Sequence, residues 1–133
     1  MREWVETDAG KEYKKKRADQ IREWRLKNPE RFHATQKRAY DKMRQEVLEH
    51  YSNGDVKCIC CGERKAIFLQ IDHIAGNGSD HRREIKAKGQ TLGGNSFVYW
   101  LKKNGFPEGF QILCANCNYA KRQKPECPCK DLI

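Results

Sequence analysis

Two C-x-x-C pairs, Cys58 with Cys61 and Cys114 with Cys117, constrain this chain more than any other feature of its sequence. Each two-residue spacer forms a knuckle that turns both thiolates toward one point. Two knuckles together supply the closed tetrahedral set that a structural zinc ion takes. The pairs stand 52 residues apart, farther than in a compact zinc ribbon, so the stretch between them must hold structure of its own. Neither pair opens a thioredoxin-like βαβ pattern, and a redox role is not expected. The chain carries seven cysteines, and Met1–Asp8 lacks the apolar core of a signal peptide, so a disulfide framework is not expected either. Cys60 reads as a spectator inside the first knuckle. Cys127 and Cys129 read as a further thiol pair with metal affinity in a frayed tail, residues 125–133.

Charge divides the chain. There are 27 Lys and Arg against 18 Asp and Glu, a formal charge of +9, and between Lys11 and Arg44 stand 13 basic and only 5 acidic residues. The remainder is close to balance. An excess of one sign, rather than charge density alone, points to a polyanion as partner, and double-stranded DNA is the leading candidate. Mean hydropathy is −0.98, and no apolar run is long enough to span a bilayer, so no membrane is expected and a cytoplasmic location is. Residues 1–55 read as a basic helical extension, a DNA-binding arm. The segment from Lys11 is free of glycine and rich in helix-tolerant residues, with Tyr13, Arg17, Ile21 and Trp24 at helical steps. Asn28-Pro29 breaks it, and Pro29 opens a second helix to about His50, with Phe32, Ala39, Met43, Val47 and Leu48 as its apolar stripe. The plainer reading of this segment is a solvated helical hairpin packed on the domain that follows.

The stretch between the cysteine pairs predicts a strand over 66–74, with Ile67, Leu69 and Ile71 on one face, ending in Asp72-His73 before a Gly76-x-Gly78 turn. A short helix over 97–103, capped by Ser96, follows a flexible stretch from Gly89 to Asn95. Phe97 and Trp100 read as core rather than as a base-stacking platform. A second strand, 110–113, runs into Cys114, and a short helix over 118–124 stops at Pro125. A polar Asp-His pair at the end of an apolar strand stands where reactive groups are usually presented.

The series Cys58-x-x-Cys61, Ile71-Asp72-His73-Ile74 and Leu113-Cys114-x-x-Cys117-Asn118-x-x-Lys121 resembles the HNH endonuclease family, small phage-borne members in particular. The resemblance covers about residues 56–124. It implies an α+β fold, a ββα-metal core stapled by a four-cysteine zinc site, and a divalent-metal-dependent nuclease acting on DNA. By position, His73 would be the general base, and Asp72 and Asn118 ligands of a catalytic Mg²⁺, Mn²⁺ or other divalent ion. The middle Asn of the motif is missing, since Gly109 holds its place. Asn116 is one substitute and Asn95 a less direct one. His81 reads equally as a phosphate contact and as a surface group beside Arg82. Lys121, Arg122 and Lys124 would hold the flanking backbone, and the N-terminus of the last helix would favour a phosphate.

The two metals implied are different in kind. Four thiolates leave zinc no open position, whereas a hard ion on two oxygen ligands keeps room for phosphate and water. A strand also presents adjacent residues to opposite faces. If His73 faces the last helix with Ile67, Leu69 and Ile71, Asp72 points away, and both reach one site only if the strand bends. The resemblance allows a phage setting in the host cytoplasm, a terminase partner, and a homodimer for double-strand cutting. A zinc-stabilised DNA-binding module without catalysis fits most of the same residues, and a protein-interaction zinc module fits fewer.

Overall fold

The computed structural model describes residues 6–90 and 95–124. The expected thiol pair Cys127 and Cys129, and most of the stretch expected to be flexible, lie outside them. The fold is small and α+β, with helices α1 (Asp8–Lys27), α2 (Pro29–Tyr51), α3 (Gly78–Ala87), α4 (Asn95–Lys103) and α5 (Ala115–Gln123). Two strands, β1 (Leu69–His73) and β2 (Phe110–Cys114), form one antiparallel sheet. Among the described residues no helix is long and apolar enough to cross a membrane.

Packing divides the chain into two compact units at Ala39/Tyr40, earlier than the compositional boundary at residue 55. In the first unit, α1 starts at Thr7, whose side chain accepts from the Gly10 N–H, and ends at Asn28, whose N–H reaches the Trp24 carbonyl. Pro29 then opens α2 as expected. Arg25 lies 4.7 Å from the centre of the Phe32 ring. Tyr13, Ile21, Trp24 and Leu26 remain exposed, so the apolar stripe of α1 is not buried.

The second unit is built around the last turns of α2. Leu48 packs with Leu69, Ile112, Leu113 and three of the four paired cysteines. Val47, its neighbour in sequence, packs with Val98 and Leu101 of α4. Adjacent residues of one helix thus serve two small cores, and Ile71 of β1 touches both. The Tyr51 hydroxyl closes the unit by donating to the Pro107 carbonyl at 2.7 Å, and burial pushes its pKa up to about 12.

The expected strand over 66–74 is shorter than its pattern. Ala66–Phe68 forms a 3₁₀ turn, and Ile67 is 84% exposed rather than in line with Leu69 and Ile71. The reason is Arg44. Its guanidinium donates to the carbonyls of Ala66 and Leu69 at 2.8 and 2.7 Å, which fixes the turn against α2 before the ladder begins. Part of the arm's positive charge is therefore turned inward. Charge-assisted bonds to carbonyls are worth about 2 kcal/mol, so Arg44→Met should lower unfolding stability by about that amount or more, read from denaturant midpoints at unchanged slope.

The strand register sets Asp72 opposite Gln111 and His73 opposite Phe110. The last helix begins at Ala115, three residues before the expected start, because Cys114 is its N-cap. The Gly76-x-Gly78 turn leads directly into α3, a helix that the sequence pattern did not mark.

Candidate functional site

The four paired cysteines meet. Their sulfurs all lie within 4.8 Å of one another, and Cys61 Sγ is 3.6 Å from Cys114 Sγ. Four sulfurs around a tetrahedral zinc at about 2.3 Å stand about 3.8 Å apart, so the cluster fits a metal such as zinc. Cys58, Cys114 and Cys117 are buried and Cys61 is exposed. Burial pushes the Cys58 thiol up, but the backbone N–H groups of Cys61, Cys114 and Cys60 outweigh it and bring the pKa down to about 7. Cys61 shifts the other way: the Glu63 N–H and Cys117 lower it, but burial together with the Cys114 and Cys58 sulfurs outweighs them and raises it. Crowded thiols share a proton deficit in this manner, and a cation among them relieves it.

The N-terminus of α5 serves this cluster. The Cys117 N–H points at Cys114 Sγ at 3.4 Å, so the helix end is turned toward sulfur rather than toward a phosphate, which corrects that expectation. Cys60 is half-buried and disulfide-bonded. Cys60 stays outside the quartet, as expected of a spectator to the metal site, and its disulfide corrects the expectation of none. Among the described residues no second group of three or more His, Cys, Asp or Glu ligand atoms comes as close together.

A separate open cleft of about 690 Å³ lies between β1, α3 and α5. Asp72, His73 and Asn118 all line it, together with Arg82, Lys121 and Arg122. The assignment of strand faces is the reverse of the expected one. Gln70 and Asp72 face α5: Asn118 Nδ2 donates to Gln70 Oε1 at 2.8 Å, and Lys121 Nζ to Asp72 Oδ2 at 2.5 Å. His73 points to the other side, where its ring stacks on Phe97 (5.5 Å, 8°) and meets Phe110 edge-on (4.8 Å, 67°). Asp72 and His73 still reach one cleft because His73 ends the strand and the chain turns at once, the Gly76 N–H closing back on the His73 carbonyl.

Two glycines shape the surroundings of His73. A Cβ on Gly78 would stand 3.1 Å from His73 Nδ1, a tight approach that would press the imidazole to shift by a few tenths of an ångström, so glycine suits α3 at this close pass. Gly109, in the place of the motif's middle Asn, has φ 101°, and its carbonyl accepts the Ile74 N–H at 3.0 Å. The strand end is braced there through backbone. Asn116 and Asn95 do not line the cleft.

The imidazole itself is held by His81. The His73 Nε2 to His81 Nδ1 distance is 2.9 Å, and His81 in turn sits edge-on to Trp100 at 4.6 Å. His81 is half-buried and does not line the cleft, so the structure sets it behind His73 rather than among the cleft residues. It lines a second, largely apolar pocket of about 460 Å³ with Trp100, Pro107 and Phe110. Burial lowers the His73 pKa, and the charges of His81, Arg82 and Lys121 add to this against the opposing pull of Asp72. The ring is neutral at neutral pH and able to accept a proton. Asp72 is nearly buried and receives a second bond from Gln111 Nε2 at 2.8 Å, also on Oδ2.

Arg82 and Arg122 are exposed at the cleft, while Lys124 is exposed but lies outside it. Sequence reasoning did not mark Gln70, Gln111 or Phe97 as site residues. Gln111 was reachable in principle, since pairing the two expected strands in antiparallel register sets it against Asp72. The chain matched no protein-family model, no curated protein and no solved structure.

Proposed function

We propose that this protein is a divalent-metal-dependent DNA endonuclease of the HNH type, with β1, β2 and α5 as its ββα-metal unit. The observation that carries the reading is the convergence of Asp72, His73 and Asn118 on one open cleft whose rim bears Arg82 and Arg122. Residues from two distant segments of the chain meet where a phosphodiester can enter. The donor set fits a hard cation: a nearly buried carboxylate and an amide oxygen, with no thiol among the cleft residues. When bound there, Mg²⁺ or Mn²⁺ would relieve charge on the non-bridging and leaving oxygens of the phosphate.

The chain's own residues do the rest. For His73 to act as a base, its Nε2–H must donate to His81 Nδ1, which leaves the Nδ1 lone pair, on the Gly78 side, to take a proton from water. The water oxygen then bonds to phosphorus as the P–O ester bond breaks, and the leaving oxygen takes a proton from solvent. Arg82 and Arg122 hold the flanking phosphates, and the cationic helices α1 and α2 supply the sequence-independent attraction to the duplex. Phage origin, a terminase partner and a homodimer for double-strand cutting belong to this same reading.

One observation favours the alternative, a DNA-binding module without catalysis: Asp72 is already paired with Lys121. The two readings part in a supercoiled-plasmid assay with EDTA, Mg²⁺, Mn²⁺ and Zn²⁺ compared. A nuclease gives nicked or linear product that requires added metal. Tight, salt-sensitive binding with no product from zinc-loaded protein would overturn the nuclease reading in favour of the module.

A further inference from the structure

Lys121 was expected to grip the DNA backbone, yet its ammonium is turned into the protein. It donates to Asp72 Oδ2 at 2.5 Å, to the His73 carbonyl at 2.6 Å and to the Ile74 carbonyl at 3.1 Å. An ammonium has three protons, and here each has an acceptor. The side chains of Lys121 and Asp72 are only 23% and 11% exposed, so this is not a solvated surface pair. A carboxylate and two backbone carbonyls converging on one positive charge form an all-oxygen cradle, the surroundings that a hard divalent ion also takes.

The placement is set by the helix. Asn118 and Lys121 stand three residues apart on one face of α5, and each reaches an alternate residue of β1, Gln70 and Asp72 respectively. The same face thus presents one amide suited to a cation and one cation already in place. Gln111 and Lys121 both bond to Oδ2, and Oδ1 takes part in neither bond.

We propose that Lys121 is a built-in counter-ion that competes with a divalent cation for Asp72 and so keeps the site weak for metal until a phosphate arrives. This rests on the nuclease reading above, with Asp72 as the shared ligand. A divalent ion approaching Asp72 Oδ1 meets a fixed positive charge within a few ångström, and the carboxylate lends it its full negative charge only when Lys121 lets go of Oδ2. An arriving phosphodiester offers the ammonium another anion at the cleft, beside Arg82 and Arg122. Metal and DNA then favour each other's binding, because each removes what opposes the other. Apparent affinity falls by the fraction of molecules in which the ligand is available. A pair closed in about nine molecules of ten weakens metal binding about tenfold.

The test is a Mn²⁺ titration of full-length, zinc-loaded protein, followed by the electron paramagnetic resonance signal of free Mn²⁺. Wild type, Lys121→Met, Lys121→Gln and Asp72→Asn are compared, with and without a short duplex. The expected result is binding about tenfold tighter in both Lys121 variants, lost in Asp72→Asn. Duplex should tighten Mn²⁺ binding in wild type and do so less in the Lys121 variants. Lys121→Gln retains hydrogen-bonding capacity toward the strand carbonyls, and circular dichroism with one zinc per chain shows that a variant is folded. Unchanged or weaker Mn²⁺ binding in a folded Lys121 variant overturns the proposal. Plasmid cleavage on the same preparations, with His73→Ala added, keeps the two readings apart. Cleavage that needs His73, with Mn²⁺ affinity indifferent to Lys121, removes only the counter-ion. Tighter Mn²⁺ binding in the Lys121 variants with no cleavage by any form removes only the nuclease.

Discussion

Replacing Cys117 by Ser, or withdrawing the metal with a strong chelator, should unfold the unit that begins at Tyr40. Cys58, Cys114 and Cys117 are themselves members of the larger hydrophobic core, which otherwise consists of Leu48, Leu69, Ile112 and Leu113. Four aliphatic side chains are a thin core, and small domains of this kind depend on a staple. A structural zinc contributes about 10 kcal/mol or more to the folded state, which is comparable to the whole stability of a typical domain, about 5–15 kcal/mol. Loss of one ligand should leave no cooperative melt at ambient temperature by circular dichroism, and mass spectrometry should find one zinc per native chain and none in the variant. A chelated, metal-free protein with an unchanged melting curve would show that the quartet is only a cluster of buried thiols.

His73→Ala should abolish cleavage while leaving zinc content and fold in place. A general base contributes about 10²–10⁴-fold, so the metal-dependent nicking rate should fall by about a thousandfold. His73→Gln, closer in volume, guards against the gap that alanine would leave between Phe97 and Phe110. The pH profile carries the sign. A protonated imidazole cannot accept a proton, so the rate falls as pH drops through the pKa of His73. Burial holds that value below the ordinary 6.5, so wild-type activity should persist through pH 6.5 and decline only beneath it. Retained nicking in both variants would remove His73 as the base.

Much of this was legible along the chain. Asn28-Pro29 breaks the cationic rod where α1 ends and α2 begins, because proline acts on its immediate neighbours. The quartet was legible because two-residue spacers leave a thiol pair few other uses. Phe110 to Leu113 read as a strand and lie in β2. These signals are local, and local stereochemistry decides them.

What the sequence could not carry is set by partners distant along the chain. Ile67 fits the alternation of a strand, yet it lies in a 3₁₀ turn because Arg44, 22 residues earlier than Ala66, takes the Ala66 carbonyl. Helix α3 had no apolar stripe to announce it: Ile85 is its one buried residue among those described. That helix delivers His81 to His73, a bond no pattern of spacing predicts. Lys121 reads as one more cation after the second cysteine pair, and only the crossing of α5 over β1, 49 residues away, turns it onto Asp72. Composition and spacing thus determined that this chain has a basic helical segment, a four-cysteine cluster and an Asp-His pair at a strand end. The tertiary structure alone decided which face of that strand meets the helix, because a side chain's orientation follows from what packs against it and not from its own identity.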